Sequence, residues 1–165
     1  MTCKITQFIT ERKPYIFYTD GACKRNPGPG GWGVYYFTPE GISFKENGGE
    51  PNTTNNRMEL AATIESLKIM NGKPNGCIIY TDSTYVKNGI TKWIKACLKN
   101  NWKTKNGTDV KNRDLWEQLY SLSDNKEIEW KWVKGHSNNP GNEMADQLAR
   151  DGIPSLSNRP SNHPS

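Results

Sequence analysis

Two short apolar runs, each closed by a Thr-Asp pair, place the strongest constraint on what this chain can fold into. The first spans residues 15–19 and precedes Asp20, and the second spans Cys77–Thr81 and precedes Asp82. Short runs rich in aromatic or β-branched residues and bounded by turn residues are typical of buried strands. We therefore expect two carboxylates at the carboxyl ends of two strands, where such sheets bind ligands. The alternatives are an Asp-Gly hairpin turn at Asp20 and a helix cap at Asp82.

The order of the predicted elements indicates an α/β layered domain. Three early strands form an antiparallel meander, and two later strands reach the sheet through helical crossovers, so we expect them to run parallel to their neighbours. Loops are predicted at 21–31, which is rich in glycine, and at 47–54, which is polar. Strands are predicted at 15–19, 32–37, 42 to about 46, 77–81 and 127–133, and helices at 55–70, 83–88, 92–98, 111–122 and about 141–151.

The net charge of +5 is concentrated in one stretch of the chain. Residues 91–113, here called the basic segment, contain seven basic residues and one acid, Asp109. Trp93, Trp102 and Trp116 lie within or beside this segment. A cationic stretch with interleaved aromatics is typical of a nucleic-acid-binding surface, and the alternative is a solvated helix face above core tryptophans. The basic residues are Lys92, Lys95, Lys99, Lys103, Lys105, Lys111 and Arg113.

Length and composition favour a single intracellular domain. A chain of 165 residues with six tryptophans is long enough to bury one hydrophobic core. Apolar runs fall short of the ~20 residues of a membrane span, the first 13 residues lack a secretion signal, and the four cysteines form no C-x-x-C pair. We expect a flexible leader at 1–13, one domain at 14–152 and a disordered tail at 153–165. We also expect a cytoplasmic monomer with no membrane association and no obligatory protein partner.

Two further acids join the two strand-end aspartates as site candidates. Glu59 falls on the first turn of the long helix, where it could instead form a capping box with Asn56. Asp146 falls off the apolar stripe of the last helix, where a surface aspartate is the ordinary explanation. Four carboxylates at one sheet edge repel each other unless cations lie among them, and oxygen ligands favour Mg²⁺ or Mn²⁺. A pair of such ions is an established device for phosphodiester cleavage, so the acids would cut a polyanion that the basic segment holds.

Two other features allow more than one interpretation. His136 is either a solvent-exposed loop histidine or a titratable group that transfers protons or helps to release the product phosphate. The glycine-rich run at 26–33 lacks the Gly-Lys-Ser/Thr ending of a nucleotide-binding loop and precedes a strand. We interpret this run as a tight connection whose backbone approaches a ligand closely.

An ordered series of motifs resembles bacterial-type, type 1 ribonuclease H. The resemblance covers roughly residues 15–151, in order and without large gaps. The motifs are Tyr-Thr-Asp20-Gly-Ala-Cys, Asn26-Pro-Gly-Pro-Gly-Gly, Thr-Thr-Asn-Asn-Arg-Met-Glu59-Leu, Thr-Asp82-Ser-x-Tyr-Val, Gly-Ile-Thr-x-Trp-Ile, Asn-Trp-Lys-Thr, Val-Lys-Asn-Arg-Asp-Leu-Trp, Trp-Val-Lys-Gly-His136 and Gly-Asn-Glu-x-Ala-Asp146.

The resemblance implies a ribonuclease H-like fold, with a five-stranded mixed sheet flanked by helices. It also implies cleavage of the RNA strand of RNA/DNA hybrids to 5′-phosphate and 3′-hydroxyl ends. Two Mg²⁺ ions, with Mn²⁺ as an alternative, would be held by the four acids. Asp20 would bridge both ions, Glu59 and Asp82 would complete one shell and Asp146 the other, and His136 would assist turnover.

The resemblance further implies where the nucleic acid lies. Asn26 and Asn55 resemble residues that touch RNA 2′-hydroxyls, which distinguish RNA from DNA. Thr54 and Asn112 match positions that grip a DNA phosphate, and Trp93 matches an aromatic residue that lies against the DNA strand. Residues 92–105 resemble a basic protrusion that tracks the hybrid backbone, with expected contacts at Lys95, Lys99, Trp102 and Lys103.

Two positions depart from the family pattern. Asn52 stands where the family often has arginine, which weakens the expected DNA-phosphate pocket, and Thr84 stands where glutamine is common, which alters the RNA contacts. Two alternatives remain: a catalytically silent hybrid-binding module, which the presence of all four acids argues against, and a domain of a reverse transcriptase, which the intact basic protrusion argues against.

Overall fold

A five-stranded mixed sheet forms the centre of this computed structural model, which describes residues 12–135 and 138–155. The strands lie in the order β3-β2-β1-β4-β5. β2 pairs antiparallel with β1 and β3, and β4 pairs parallel with β1 and β5, which confirms the predicted meander and the two parallel strands. The bounds are β1 Tyr15–Cys23, β2 Gly28–Phe37, β3 Ser43–Thr53, β4 Cys77–Thr81 and β5 Ile128–Trp132.

Helices cover both faces of the sheet. A Cβ at Gly21 of β1 would meet α1, whereas a Cβ at Gly33 of β2 would meet α5. Gly33 pairs with Asp20, and successive strand residues point to opposite faces, so α1 and α5 pack on opposite sides of β1 and β2. The bounds are α1 Asn55–Met70, α2 Thr84–Asn88, a π-helical turn Gly89–Trp93, α3 Ile94–Lys99, α4 Arg113–Ser123 and α5 Pro140–Asp151.

The glycine-rich stretch between the first two apolar runs belongs largely to strands. β1 continues to Cys23 and β2 begins at Gly28, so the predicted loop at 21–31 is wrong. A Cβ at Gly33 would clash with the carbonyl oxygen of Ala145 in α5. The missing side chain therefore lets α5 pack directly against the sheet, and at this position glycine serves helix packing, not the approach of a ligand.

β3 also extends beyond its prediction. It pairs with β2 from Ser43 opposite Phe37 to Thr53 opposite Gly28, so the predicted polar loop at 47–54 is wrong. Most β3 side chains are exposed, which gave the stretch its loop-like composition. Backbone hydrogen bonds to β2 hold this edge strand in place, and such bonds leave little trace in side-chain patterning.

α1 matches its predicted bounds and forms much of the core. The Oγ1 atom of Thr54 accepts a hydrogen bond from the backbone N–H of Arg57 at 3.2 Å and caps the helix. Leu60, Ile64 and Leu67 are at most 2% exposed. They belong to one apolar cluster with side chains of β1, β4 and α4, and this packing fixes α1 against the sheet.

Residues 84–99 form one uninterrupted helical segment, so the predicted break between the helices at 83–88 and 92–98 is wrong. A Cβ at Gly89 would clash with the ring of Trp116 in α4. Glycine is required at this point because the helical segment packs tightly on α4, whereas the sequence pattern indicated a helix end.

The expected leader and tail fall mainly outside the described residues. Residues 1–11 and 156–165 lie in those parts, so their flexibility and disorder stay predictions. Within 12–135 and 138–155, none of the helices combines the length and apolar character that a membrane crossing requires.

Candidate active site

Parallel pairing of β1 with β4 aligns the two strand-borne aspartates. Tyr18 lies opposite Tyr80, so Asp20 and Asp82 each follow two residues further along. β4 ends one residue before Asp82, whereas Asp20 lies inside β1 and pairs with Gly33. The expected position of Asp20 at a strand end, and the alternative of a hairpin turn, are therefore wrong. Asp20 nevertheless reaches the common edge because β1 runs past the end of β4.

Glu59 is brought to the same edge by α1. A Cβ at Gly21 would lie 2.5 Å from the backbone nitrogen of Glu59, so the absence of a side chain beside Asp20 permits this approach. Glu59 is the fifth residue of α1, and the first turn contains no acid, so the expected first-turn position is wrong.

Residues other than Glu59 and Asp82 cap the helices beside the site. Thr54 caps α1, which excludes the capping box between Asn56 and Glu59. The Oγ atom of Ser83 accepts a hydrogen bond from the backbone N–H of Val86 at 3.1 Å and caps α2. Neither Glu59 nor Asp82 is therefore explained as a helix cap.

Three of the four acids form a tight cluster. Asp20, Glu59 and Asp82 each place one carboxylate oxygen within 4.8 Å of the others. Asp146 is outside this trio but lines the same cavity of about 360 Å³. Its Oδ2 atom lies 3.1 Å from Nη2 of Arg150, and its side chain is 38% exposed. Asp146 thus lines the cavity from α5 and is more than an isolated surface residue.

Burial and mutual repulsion make the cluster reluctant to carry its full negative charge. Burial, then the charge of Asp82, raises the pKa of Asp20 to about 8, although the backbone N–H of Gly21 donates to its Oδ1 at 2.9 Å. Burial, then Asp20 and Asp82, also raises the pKa of Glu59 well above its ordinary value. A group of carboxylates with these properties attracts either protons or cations.

The donor set fits a hard divalent cation. Oε1 of Glu59 is buried and accepts no hydrogen bond from the described residues. Buried polar atoms without a partner are rare and need an explanation. Carboxylate oxygens are the ligands that hard divalent cations prefer, and a cation beside Asp20, Glu59 and Asp82 would satisfy this atom while neutralising the repulsion.

Three further polar residues line the cavity but were not among the predicted site residues: Asn138, Asn142 and Glu143. Asn142 is only 5% exposed. Asn142 and Glu143 precede Asp146 by four and three residues in α5, so they share its helix face. This spacing was the available signal. His136, the predicted turnover residue, lies outside the described residues, so its role stays a prediction.

The residues expected to contact the RNA 2′-hydroxyls and the DNA phosphate adjoin the start of α1. Oδ1 of Asn26 accepts a hydrogen bond from the backbone N–H of Asn55 at 3.0 Å. Nη1 of Arg57 donates to Oδ1 of Asn112 at 3.2 Å, while its backbone N–H donates to Thr54. Arg57 therefore joins Thr54 and Asn112, the two residues that the family resemblance places at one DNA phosphate.

The tryptophans of the basic segment divide between surface and core. Trp93 is 43% exposed, whereas Trp102 and Trp116 are 7% and 5% exposed. Trp102 packs against the ring of Tyr120, with the ring centroids 6.5 Å apart. Trp102 therefore belongs mainly to the core, and little of its surface is available for the expected nucleic-acid contact.

The expected lysine contacts are all on the surface. Lys95, Lys99 and Lys103 are exposed. Nζ of Lys103 lies 2.7 Å from Oδ1 of Asp109, which also pairs with Arg113 at 2.8 Å. Lys103 is thus partly neutralised, while no ion pair involves Lys95 or Lys99 within the described part of the chain.

The strand order and the acidic cavity together define an enzyme of the ribonuclease H-like fold. A family model described as RNase H matches residues 12–154, and the chain belongs to this family. It is 52% identical over 149 residues to "Ribonuclease H" of Orientia tsutsugamushi, which covers 87% of this chain and 84% of the relative. "Ribonuclease H" of Francisella philomiragia is 47% identical over 151 residues, which is 92% of this chain and 98% of the relative.

Solved structures agree with this assignment. LC9-RNase H1, described as a type 1 RNase H with the type 2 active-site motif, is 32% identical with a TM-score of 0.75, covering 86% of this chain and 72% of that one. LC11-RNase H1 in complex with RNA/DNA hybrid has a TM-score of 0.63 at 21% identity over 84% of this chain and 96% of that one, which shows a common fold. The resemblance to bacterial-type, type 1 ribonuclease H is confirmed, and the chain is an enzyme with ribonuclease H activity.

Proposed function

We propose that this ribonuclease H hydrolyses the RNA strand of RNA/DNA hybrids and leaves 5′-phosphate and 3′-hydroxyl ends. The observation that carries the proposal is the gathering of Asp20, Glu59, Asp82 and Asp146 around one cavity. The hybrid bound to the solved LC11-RNase H1 supports the choice of substrate. A catalytically silent binding module is not favoured, because all four acids are present and carboxylates with such raised pKa values are typical of active sites.

The four acids would hold two Mg²⁺ ions, with Mn²⁺ as an alternative. Asp20 would be shared, Glu59 and Asp82 would serve one ion, and Asp146 the other. Such ions, when bound, activate a water molecule and stabilise the leaving oxygen of the phosphodiester. The cluster of three oxygens within 4.8 Å supports this division of ligands, since Asp146 lies apart from it.

The protein's own contribution is to hold these side chains in position before substrate arrives. The N–H of Gly21 orients the Asp20 carboxylate at 2.9 Å, and β-sheet pairing with Gly33 fixes its backbone. Packing of α1 against the sheet buries Glu59. Because burial raises the pKa of Asp20 and Glu59, protons on these carboxyls would leave as cations bind.

Substrate contacts are proposed on the surface around the cavity. Asn26 and Asn55 would read RNA 2′-hydroxyls, and Thr54 with Asn112 would bind a DNA phosphate. Trp93, which is 43% exposed, would lie against the DNA strand. The lysines that would track the hybrid backbone are Lys95, Lys99 and Lys103. His136 is proposed to assist product release.

We also propose that the enzyme acts as a cytoplasmic monomer. The four proposed metal ligands all come from one chain, so a second copy is not needed to complete the site. Cys23, Cys77 and Cys97 are free thiols, as suits a reducing compartment.

The test is cleavage of a strand-labelled RNA/DNA hybrid in Mg²⁺. We expect the RNA strand alone to be cut, with no cleavage of duplex DNA and loss of activity in EDTA that added Mg²⁺ restores. End analysis should detect 5′-phosphate and 3′-hydroxyl termini. Cutting of the DNA strand, or full activity in EDTA, would contradict the proposal.

A further inference from the structure

A basic groove that the proposed substrate contacts do not include lies between the β1–β2 turn and the end of α5. Its volume is about 300 Å³. Lys24 and Arg25 of the turn and Arg150 of α5 line it, together with Pro29 and residues 153–155. No acid lines the groove among the residues that the structure describes. Three cations that share one groove repel each other and create a positive potential that favours an anion.

The two cations of the turn are available for such an anion. Arg150 pairs with Asp146 at 3.1 Å, but neither Lys24 nor Arg25 forms an ion pair within residues 12–135 and 138–155. Both side chains are exposed. The groove therefore has two uncompensated positive charges beside one that already has a carboxylate partner.

The turn that carries these cations is held in place. The backbone N–H of Lys24 donates to the carbonyl of Pro29 at 2.8 Å. Asn26 accepts from the backbone N–H of Asn55 at 3.0 Å, which ties the turn to the start of α1. Arg25 has a φ of 56°, a left-handed conformation that arginine rarely adopts. Such conformations persist where the surrounding structure enforces them, often at ligand sites.

The groove adjoins both the acidic cavity and the residues proposed to read RNA. Arg150 lines the groove while contacting Asp146, which lines the cavity. Asn26, the next residue after Arg25, is a proposed 2′-hydroxyl contact. We propose that Lys24 and Arg25 bind a phosphate of the RNA strand close to the cleavage site, an inference that rests on the proposed function. This contact is separate from the basic segment and adds a second anchoring point for the hybrid.

The experiment compares the wild type with the double variant Lys24→Gln/Arg25→Asn. Asparagine tolerates the left-handed backbone of position 25. The matched control is Lys13→Gln/Lys73→Gln, which removes the same charge from two exposed lysines near the start of β1 and in the turn before β4. Hybrid affinity is measured in EDTA by fluorescence anisotropy over a series of salt concentrations, with circular dichroism to verify folding.

The logarithm of the binding constant falls as the logarithm of the salt concentration rises. Loss of one phosphate contact should make this fall less steep by about 0.9 and weaken binding by about eightfold at ~0.1 M salt. We expect at least this effect in the Lys24→Gln/Arg25→Asn variant, and a smaller one in the control. An equal effect in both variants would overturn the proposal. If both variants show an equal effect while the wild type still cuts hybrids, only the groove inference fails. If the wild type does not cut hybrids, the proposed function itself fails.

A second measurement assigns the strand. Hybrids in which one phosphate at a time is replaced by an uncharged methylphosphonate should weaken wild-type binding at one or two RNA positions. At these positions the Lys24→Gln/Arg25→Asn variant should lose no further affinity. The RNA assignment would be overturned if the positions that weaken the wild type but not the variant lay in the DNA strand, or if neither strand contained such positions.

Discussion

The acidic cavity and the basic segment are built in opposite ways. The cavity gathers carboxylates that lie at positions 20, 59, 82 and 146, and two of them, Asp20 and Glu59, are only 5% exposed. The basic segment is continuous in sequence, and the lysines expected to contact substrate are exposed. Buried like charges are costly, so the sheet and α1 must hold them together, whereas solvated charges cost little. The acids of the cavity therefore depend on the whole fold, and the surface charge depends mainly on local sequence.

The largest expected effect is the loss of activity in Asp20→Asn. Removing the carboxylate that we propose is shared by both ions should lower the rate of hybrid cleavage by about 10³-fold or more, while hybrid binding is retained. The control is Asp124→Asn, which removes an exposed acid at the end of α4. Cleavage assays in Mg²⁺ measure the rates. Substantial activity in Asp20→Asn would remove this residue from the mechanism.

The two tryptophans Trp93 and Trp102 should separate binding from stability. Trp102→Ala should lower the free energy of unfolding by about 3–5 kcal/mol, because it empties a core position. Trp93→Ala should lower hybrid affinity by about 1–3 kcal/mol if its exposed ring lies against the DNA strand. Urea denaturation and anisotropy measure the two effects. Equal stability losses in both variants would show that the surface and core assignment is wrong.

Stability of the metal-free protein should fall as pH rises. The pKa of Asp20 is raised from 3.8 to about 8, so the folded state holds protons that the unfolded state has lost. The resulting stabilisation is complete below about pH 4, declines as pH rises and is lost above about pH 8, with a total on the order of a few kcal/mol.

Urea denaturation in EDTA from pH 5 to 9 measures this decline. In EDTA, the stability of Asp20→Asn should decline less steeply with pH than that of the wild type. In a separate series without EDTA, Mg²⁺ should stabilise the wild type more at pH 8 than at pH 5, because protons compete less for the carboxylates at the higher pH. Parallel profiles for the two proteins would contradict the assigned pKa shift.

The smallest expected effects come from single lysines of the basic segment. Lys95→Gln and Lys99→Gln should each weaken hybrid binding. Each should also make the fall of log K with log salt less steep, by up to about 0.9. Lys103→Gln should have less effect, because Asp109 already lies 2.7 Å from its Nζ. Anisotropy titrations at several salt concentrations measure the slopes. A dominant effect of Lys103 would show that its pair with Asp109 breaks in the complex.

Local sequence patterns determined the element types and several element bounds. The apolar run before Asp82 and the pattern of α1 gave β4 and α1 their observed bounds. The same patterns failed for β3 and for the start of β2, where glycines and exposed polar side chains resemble a loop. Backbone hydrogen bonds between strands hold these stretches in the sheet. Such bonds do not depend on side-chain periodicity, so the sequence pattern did not indicate them.

The sequence by itself determined which four acids are candidates, because two strand ends and a series of motifs point to them. Only the tertiary structure decided that Asp20 lies within a strand, that Glu59 is buried with an oxygen lacking a hydrogen-bond partner, and that Trp102 belongs to the core. The physical reason is that the charge and type of each residue are properties of the sequence. The burial of a side chain and its distance from other side chains are set only when remote segments pack together.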